Sequence, residues 1–170
     1  MREMRRKDRK MSEEFALSVL KKCEYSTLAM VNEEGRPYCI PVSPVLDEER
    51  KAVYFHCAGA GYKVELLKKH PEVCMSGVGE TRLVPEENTT EFESFVLEGR
   101  AEFVGEEEEK IHALRLIMEK FAPSNIHNFQ EALDRSLKIT AVVKISIRSI
   151  SGKRKKYDTQ GKEMKWQRME

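Results

Sequence analysis

Apolar and polar residues alternate along several segments of this chain, and a period of two is the pattern of a strand with one buried face. In the clearest case Val143, Ile145 and Ile147 are separated by Lys144 and Ser146. The same alternation predicts further strands over residues 25–31, 38–46, 52–56 and 93–104, and another from about residue 73. Six strands joined by short polar turns predict an antiparallel sheet that closes into a small barrel.

Other segments place apolar residues three or four positions apart, which is the spacing of a helix with one buried face. This spacing predicts helices over residues 12–22 and 106–122 and a shorter helix from residue 128. Ser12 is placed to cap the first helix, and the glutamates at 106–109 match the helix dipole as solvated charges. Helices at the margins of such a sheet make the fold mainly β, of the α+β class.

The length and charge of the chain limit what it can be. Its 170 residues suffice for one domain with its own hydrophobic core. Charged residues make up 35% of the chain, but the net charge is only +1, so composition supports neither nucleic-acid nor membrane binding. We predict one domain over residues 1–151, followed by a charged C-terminal tail over residues 152–170.

The cysteines and histidines do not indicate a metal site. The four cysteines form no C-x-x-C pair, and the four histidines lie in different predicted elements. No apolar run approaches the roughly 20 residues that a membrane-spanning helix needs. The basic N-terminus lacks the apolar stretch of a signal peptide, and free thiols favour a reducing compartment. The sequence therefore predicts a cytoplasmic protein without a bound metal.

One turn has the composition of a phosphate site. The strand at 52–56 ends at His56 and is followed by Gly59 and Gly61, and then by Tyr62 and Lys63 at the start of a short helix. The first N–H groups of a helix lack internal partners, and the helix dipole favours an anion there. Lys63 is accordingly either a phosphate ligand or a solvated surface lysine, and a glycine turn alone does not decide between them.

The predicted strand at 38–46 contains Pro41 and Pro44, which cannot donate hydrogen bonds to a neighbouring strand. It should therefore lie at a sheet edge, where it either leaves the N–H groups of Val42 and Ser43 free for a ligand or forms a bulged edge without one. His56 has four roles open to it: proton donor, ring-stacking group, metal ligand or buried core histidine.

Seven motifs occur along the chain in an order that is typical of one family. They are Met4-Arg-Arg-Lys-Asp-Arg, Tyr25-Ser-Thr-Leu-Ala-Met-Val, Gly35-Arg-Pro-Tyr, Pro41-Val-Ser, Tyr54-Phe-His, Gly61-Tyr-Lys-Val-Glu-Leu-Leu and Phe95-Val-Leu-Glu-Gly-Arg. Together they resemble the nitroimidazole-resistance (Nim) proteins, which belong to the pyridoxamine 5′-phosphate oxidase-like, FMN-binding split-barrel superfamily. The resemblance covers residues 4–153.

The resemblance implies a six-stranded antiparallel split β-barrel that forms a homodimer and holds FMN between the subunits. It assigns the FMN phosphate to Lys63, with Tyr62 where pyridoxamine 5′-phosphate oxidases often have an arginine. Phe55 and His56 correspond to the segment beside the flavin, and His56 to a histidine implicated in activity. Ser94 corresponds to a polar residue that contacts the cofactor from the neighbouring subunit. The strand along the ring system corresponds to Cys39, Ile40, Pro41, Val42 and Ser43.

The function implied by the resemblance is that of an FMN-dependent oxidoreductase that reduces a small, for example nitroaromatic, substrate, with His56 as the catalytic residue. The alternative is a flavin- or haem-binding protein of the same fold without turnover. Pyridoxamine 5′-phosphate oxidases hold their substrate with a C-terminal arginine and histidine pair, which this chain lacks. We therefore do not expect that activity. Trp166 is placed either to cover an apolar ligand or to make an ordinary tail contact.

Overall fold

The computed structural model describes residues 3–165, so Trp166 and the residues after it lie outside the described part of the chain. Eight strands and four α-helices lie within this range. In chain order they are β1 (Lys10–Met11), α1 (Glu13–Lys22), β2 (Ser26–Val31), β3 (Pro37–Val42), β4 (Val45–Asp47), β5 (Ala52–Ala58), α2 (Tyr62–Lys69), β6 (Glu72–Val84), β7 (Thr89–Phe103), α3 (Glu107–Phe121), α4 (Phe129–Ser136) and β8 (Thr140–Lys155).

The sheet is antiparallel and is curled on itself. Its strands follow the order β3, β2, β6, β7, β8, β5, β4, with β1 added against β8. The two outer strands, β3 and β4, are separated in the chain only by Ser43 and Pro44. So short a connection forces the two ends of the sheet together, although no ladder joins β3 to β4 in the described residues. We call this open seam the split. The predicted fold, a mainly β split barrel with flanking helices, is confirmed.

Three features of the strands differ from the sequence pattern, and the described residues form eight strands where six are predicted. The predicted strand at 38–46 is divided into β3 and β4, because Pro44 cannot continue a ladder. The two-residue β1, which is too short to show a period, pairs with β8. β8 continues past residue 148 to Lys155, because β7 and β1 flank it there. It crosses residue 151 without a break, and the division into a domain and a tail stays a prediction.

Two register shifts in the long strands occur at glycines, which is typical of the bends in a small barrel. The register of the β6–β7 ladder shifts between Val78 and Thr81, around Gly79, and the β7–β8 ladder shifts at Gly99. A Cβ atom at Gly99 would lie 2.6 Å from the Ser146 carbonyl oxygen. Only glycine therefore lets β8 come this close to β7 at the bend.

The larger hydrophobic cluster fills the barrel, and α1 covers one end of it. The Ser12 side chain caps α1 by accepting a hydrogen bond from the Phe15 N–H at 3.2 Å, as predicted. On the apolar face of α1, Ala16, Val19 and Leu20 are fully buried, and Leu17 is partly buried. The cluster includes Ala16, Val19, Leu20, Leu28, Phe55, Met75, Phe95, Leu97 and Ile145.

A smaller cluster joins α3 to β5, and a polar contact reinforces it. Ala113 and Ile117 of α3 pack against Tyr54. The Tyr54 hydroxyl donates to Glu109 Oε1 at 2.6 Å, and Lys144 Nζ donates to the same oxygen at 2.9 Å. The prediction that the glutamates at 106–109 are all solvated is therefore wrong for Glu109. These two hydrogen bonds lower the pKa of Glu109, because they stabilise its charged form.

No helix within residues 3–165 is both long enough and apolar enough to cross a bilayer. In the same range, no group of three or more histidine, cysteine, aspartate or glutamate side chains is arranged to hold a metal ion.

Candidate functional site

A cavity of about 370 Å³ opens at the split, where the end of β3 meets β5 and the start of α2. Small-molecule sites commonly have volumes of about 300–1,000 Å³. At least three other surface cavities are larger, at about 450, 680 and 820 Å³, so size alone does not select this one. The chemistry of its lining does, because four separate parts of the chain contribute to it. The lining residues are Tyr25, Pro41, Val42, Ser43, His56 and Lys63.

The β3 wall of the cavity is a sheet edge, as the prolines predict. Pro37 and Pro41 lie opposite Val31 and Thr27 of β2. Because neither proline has an N–H to donate, these positions face away from the β2 ladder, and the alternate position Val42 faces it. Ser43 belongs to neither β3 nor β4, so its N–H lies outside both ladders. The backbone donor at this wall is therefore Ser43 rather than Val42.

The opposite wall is the start of α2. Gly61 precedes the helix with a φ of 120° and a ψ of 169°, a conformation that is nearly restricted to glycine. No side chain caps this helix end, so its first N–H groups remain available to an anion. Lys63 Nζ lies 5.7 Å from the centre of the Phe55 ring. This wall therefore combines a helix N-terminus with a full positive charge.

His56 stands between the two walls at the mouth of the cavity. Its side chain points to the opposite face of β5 from Phe55 and is exposed in the single chain. Loss of hydration on its inner side, followed by the charge of Lys63, lowers the pKa of His56. The imidazole is therefore neutral at pH 7, with one ring nitrogen free to accept a proton and the other able to donate a hydrogen bond.

Five of the predicted cofactor residues do not line the cavity, and three of these lie on the strands β3 and β5. Phe55 is 1% exposed and belongs to the barrel core, because it faces inward while its neighbour His56 faces outward. Ile40 also faces inward and packs against the core. Cys39 is exposed on the outer face of β3. Cys57, beside His56, is half-buried, and burial raises the pKa of its thiol, so it is not a thiolate at neutral pH.

Tyr62 and Ser94 lie outside the lining for different reasons. Tyr62 is adjacent to Lys63, but its ring packs edge-on against Tyr38 of β3, with 4.9 Å between the ring centres. It therefore links the two walls of the cavity rather than forming its floor. Ser94 lies on β7, opposite Val78 and Lys153. It does not line the cavity within one chain, and its contact with the cofactor from a second subunit stays a prediction.

Tyr25 is the lining residue that the sequence did not single out. It lies just before β2, and 68% of its surface is exposed. Its position places it beside Val42 and Ser43, because Ser26 pairs with Val42. The sequence signal that could have indicated it is an aromatic residue placed just before an apolar strand.

Comparison with known proteins is consistent with this arrangement. A family model described as pyridoxamine 5′-phosphate oxidase matches residues 12–154. No curated protein is similar enough to count as a match.

Three solved structures illustrate the fold that the chain shares. A conserved hypothetical protein from Mycobacterium tuberculosis has a TM-score of 0.74 and 18% identity, over 89% of this chain and 90% of that one. A flavocytochrome from Azotobacter vinelandii has a TM-score of 0.69 and 22% identity, over 88% and 72%. A candidate 5-nitroimidazole antibiotic resistance protein from Bacteroides thetaiotaomicron has a TM-score of 0.68 and 21% identity, over 85% of each chain.

Proposed function

Because the chain belongs to the pyridoxamine 5′-phosphate oxidase family, we propose that it binds FMN in the cavity at the split and acts as an FMN-dependent oxidoreductase on a small substrate. One observation carries this proposal. The split brings together Ser43, His56 and Lys63, which come from three segments of the chain and offer a backbone donor, a neutral imidazole and a cation. A flavin mononucleotide has matching groups in its polar ring edge and its phosphate.

The residues present fit the two ends of this cofactor. The phosphate is a dianion, and Lys63 lies at an uncapped helix start where Gly61 leaves open space. The ring edge presents hydrogen-bond acceptors, and the Ser43 N–H lies outside both ladders. Tyr62 takes the place of a second cation, so the charge at the phosphate end comes mainly from Lys63. Phe55 contributes its backbone at most, because its side chain is in the core.

The protein side of the chemistry rests on His56. Bound FMN supplies the electron transfer. The neutral His56 ring can donate a hydrogen bond from its protonated nitrogen to a substrate on which negative charge develops as it gains electrons. Ser43 orients the ring edge and favours negative charge there, and Lys63 anchors the far end. The resemblance to nitroimidazole-resistance proteins makes a nitroaromatic compound the first substrate to test.

We propose that the protein is a homodimer, because the outer face of the sheet next to the cavity has few charges. On this face, five residues that pair with one another across five adjacent strands form a row without a charge, in a chain of which 35% is charged. Val96 in this row is 39% exposed, and Val78 beside it is 59% exposed. An exposed face of this kind is typical of a subunit interface. The row consists of Pro41, Thr27, Ser76, Val96 and Ser151.

Two further observations support the cofactor's place between subunits. Pro41 belongs both to the uncharged row and to the cavity lining, so a second chain on this face would cover the cavity mouth. Ser94 lies two residues before Val96 and faces the same way, so a docked partner presents its own Ser94 at the interface.

The four cysteines are free thiols, which supports the cytoplasm as the compartment.

The test is a visible absorption spectrum of the purified protein, before and after titration with FMN. We expect saturable binding, followed by bleaching of the flavin band with NADH or NADPH and its recovery when a nitroaromatic acceptor is added. The variant His56→Gln should bind FMN as the natural protein does but reoxidise more slowly with the acceptor. Absence of FMN binding at any concentration reached in the titration would refute the proposal.

The alternative function is that of a binding protein without turnover, and one observation supports it. The neutral, exposed His56 ring at the cavity mouth has the chemistry of a haem ligand as well as that of a hydrogen-bond donor. The same titration separates the two functions. Bound flavin that no pyridine nucleotide reduces, or a Soret band on addition of haem that His56→Gln abolishes, would favour the alternative.

A further inference from the structure

A half-buried lysine outside the cavity holds three backbone carbonyl groups. Lys120, near the end of α3, donates from Nζ to the carbonyl oxygen of Pro44 at 2.7 Å and to that of Cys23 at 2.8 Å. A third and longer contact reaches the Leu20 carbonyl oxygen at 3.4 Å. An ammonium group has three N–H donors, so this arrangement uses all of them.

The carbonyl groups belong to two different parts of the chain. Those of Leu20 and Cys23 lie at the C-terminal end of α1, where the last carbonyls lack helical partners and the helix dipole favours a cation. That of Pro44 lies in the connection between β3 and β4. Lys120 therefore joins the end of α1 to the link across the split.

Both of these parts continue directly into the cavity wall. Cys23 is two residues before Tyr25, and Pro44 immediately follows Ser43. Tyr25 and Ser43 are both lining residues of the cavity. The Ser43–Pro44 connection has no ladder of its own to hold it, since it belongs to neither strand. Its position depends on contacts from outside the sheet, and the Lys120 hydrogen bond is one of them.

We propose that Lys120 is a positioning residue for the cofactor cavity, which sets the distance between the Tyr25 wall and the Ser43 wall by holding their backbones to one ammonium group. The proposal rests on the proposed function for the identity of the ligand. It does not depend on that function for the geometry, because the three carbonyl contacts are present in the chain without a cofactor.

A merely structural lysine provides the control. Lys110, on the same helix, donates from Nζ to the Leu137 carbonyl oxygen at 2.6 Å, at a place that does not border the cavity. Lys110→Met therefore removes one lysine–carbonyl contact from α3 without touching the cavity walls. Lys120→Met removes the charge and the donors but keeps an unbranched side chain. Lys120→Arg restores both charge and donors.

The experiment measures backbone amide hydrogen exchange by mass spectrometry and FMN affinity by titration, in the natural chain and these three variants. For Lys120→Met we expect exchange about tenfold faster in peptides covering residues 24–27 and 42–46. We also expect FMN binding about tenfold weaker, which corresponds to about 1.4 kcal/mol. Lys110→Met should change neither quantity, and Lys120→Arg should recover most of the loss in both.

Each of the two measurements has a result that would overturn the proposal. If Lys120→Met accelerates exchange equally throughout the barrel, or no more than Lys110→Met does in these two peptides, Lys120 is not a positioning residue. If exchange rises locally but FMN affinity is unchanged, the cavity walls do not depend on it for binding, and the proposal is overturned. If the natural chain itself fails to bind FMN, the proposed function fails, while the exchange data still decide whether Lys120 fixes the walls.

Discussion

Replacing Lys63 with methionine removes the positive charge from the cavity but keeps most of the length of the side chain. The expected result is a loss of affinity that depends on the phosphate of the ligand. FMN carries that phosphate, and riboflavin has the same ring system without it. Lys63→Met should therefore weaken FMN binding and leave riboflavin binding nearly unchanged. The difference between the two ligands isolates the contact between the lysine and the phosphate.

The magnitude follows from the surroundings of Lys63. A hydrogen bond that involves a charged group contributes about 1.5–3 kcal/mol. Lys63 is only partly buried, so water competes with the phosphate and the lower end applies. We expect the variant to bind FMN about tenfold more weakly, which corresponds to about 1.4 kcal/mol. The contact of Lys63 with the Phe55 ring, at 5.7 Å, is removed by the substitution whichever ligand is added, so it should not enter the difference between FMN and riboflavin.

A matched control lies on the same helix. Lys68 Nζ is 5.7 Å from the centre of the Phe103 ring, the same distance as Lys63 from Phe55, but it does not line the cavity. The assay is a fluorescence titration of FMN and of riboflavin with the natural chain, Lys63→Met and Lys68→Met, at low and high salt. Two results would refute the reasoning: equal weakening of FMN and riboflavin by Lys63→Met, or an equal loss of FMN affinity in Lys68→Met.

Four further outcomes are expected. Gly61→Ala should lower the free energy of unfolding in urea by about 1–3 kcal/mol, because φ is 120° there, whereas Gly59→Ala should change it little. Val96→Glu should convert the dimer to a monomer in sedimentation, because it places a charge in the uncharged row. In NMR titration the pKa of His56 should lie below 6.5 and rise in Lys63→Met, because one source of its lowering is removed. The pKa of Glu109 is lowered from its usual value of 4.5, so the charged carboxylate stabilises the fold above pH 4.5, and this stabilisation is lost as the pH falls through the lowered pKa. Glu109→Gln should therefore flatten the acid limb of a plot of thermal midpoint against pH.

Much of the fold follows from local properties of the sequence. The alternation at Val143, Ile145 and Ile147 places every second side chain inward whatever the rest of the chain does, and all three face the barrel core. Pro41 lacks a backbone donor, and this alone restricts its strand to an edge. The helix boundaries are similarly local, since the Ser12 hydroxyl caps a helix that begins at the next residue.

The lining of the cavity follows from sequence only in part. Ser43, His56 and Lys63 are indicated by a proline-broken strand and by a glycine turn, and the closure of the sheet brings them together. Phe55 and Ile40 show the limit of this reasoning, because a segment that passes beside a ligand presents only every second side chain to it. Tyr25 could not be assigned, since nothing in its own neighbourhood in the sequence distinguishes it from any exposed aromatic residue.

The sequence by itself therefore determined most of the strands, the sheet edge and the identity of the charged and polar groups at the cavity. Only the tertiary structure decided which partners these groups meet. Glu109 lies 55 residues from Tyr54, and Lys120 lies 97 residues from Cys23 and 76 from Pro44. A solvated lysine and a lysine that holds three carbonyl groups look alike in sequence, because the difference lies in chain segments that meet only when the sheet closes. The physical reason is that a backbone carbonyl carries no sequence signature, so only folding shows which cation it meets.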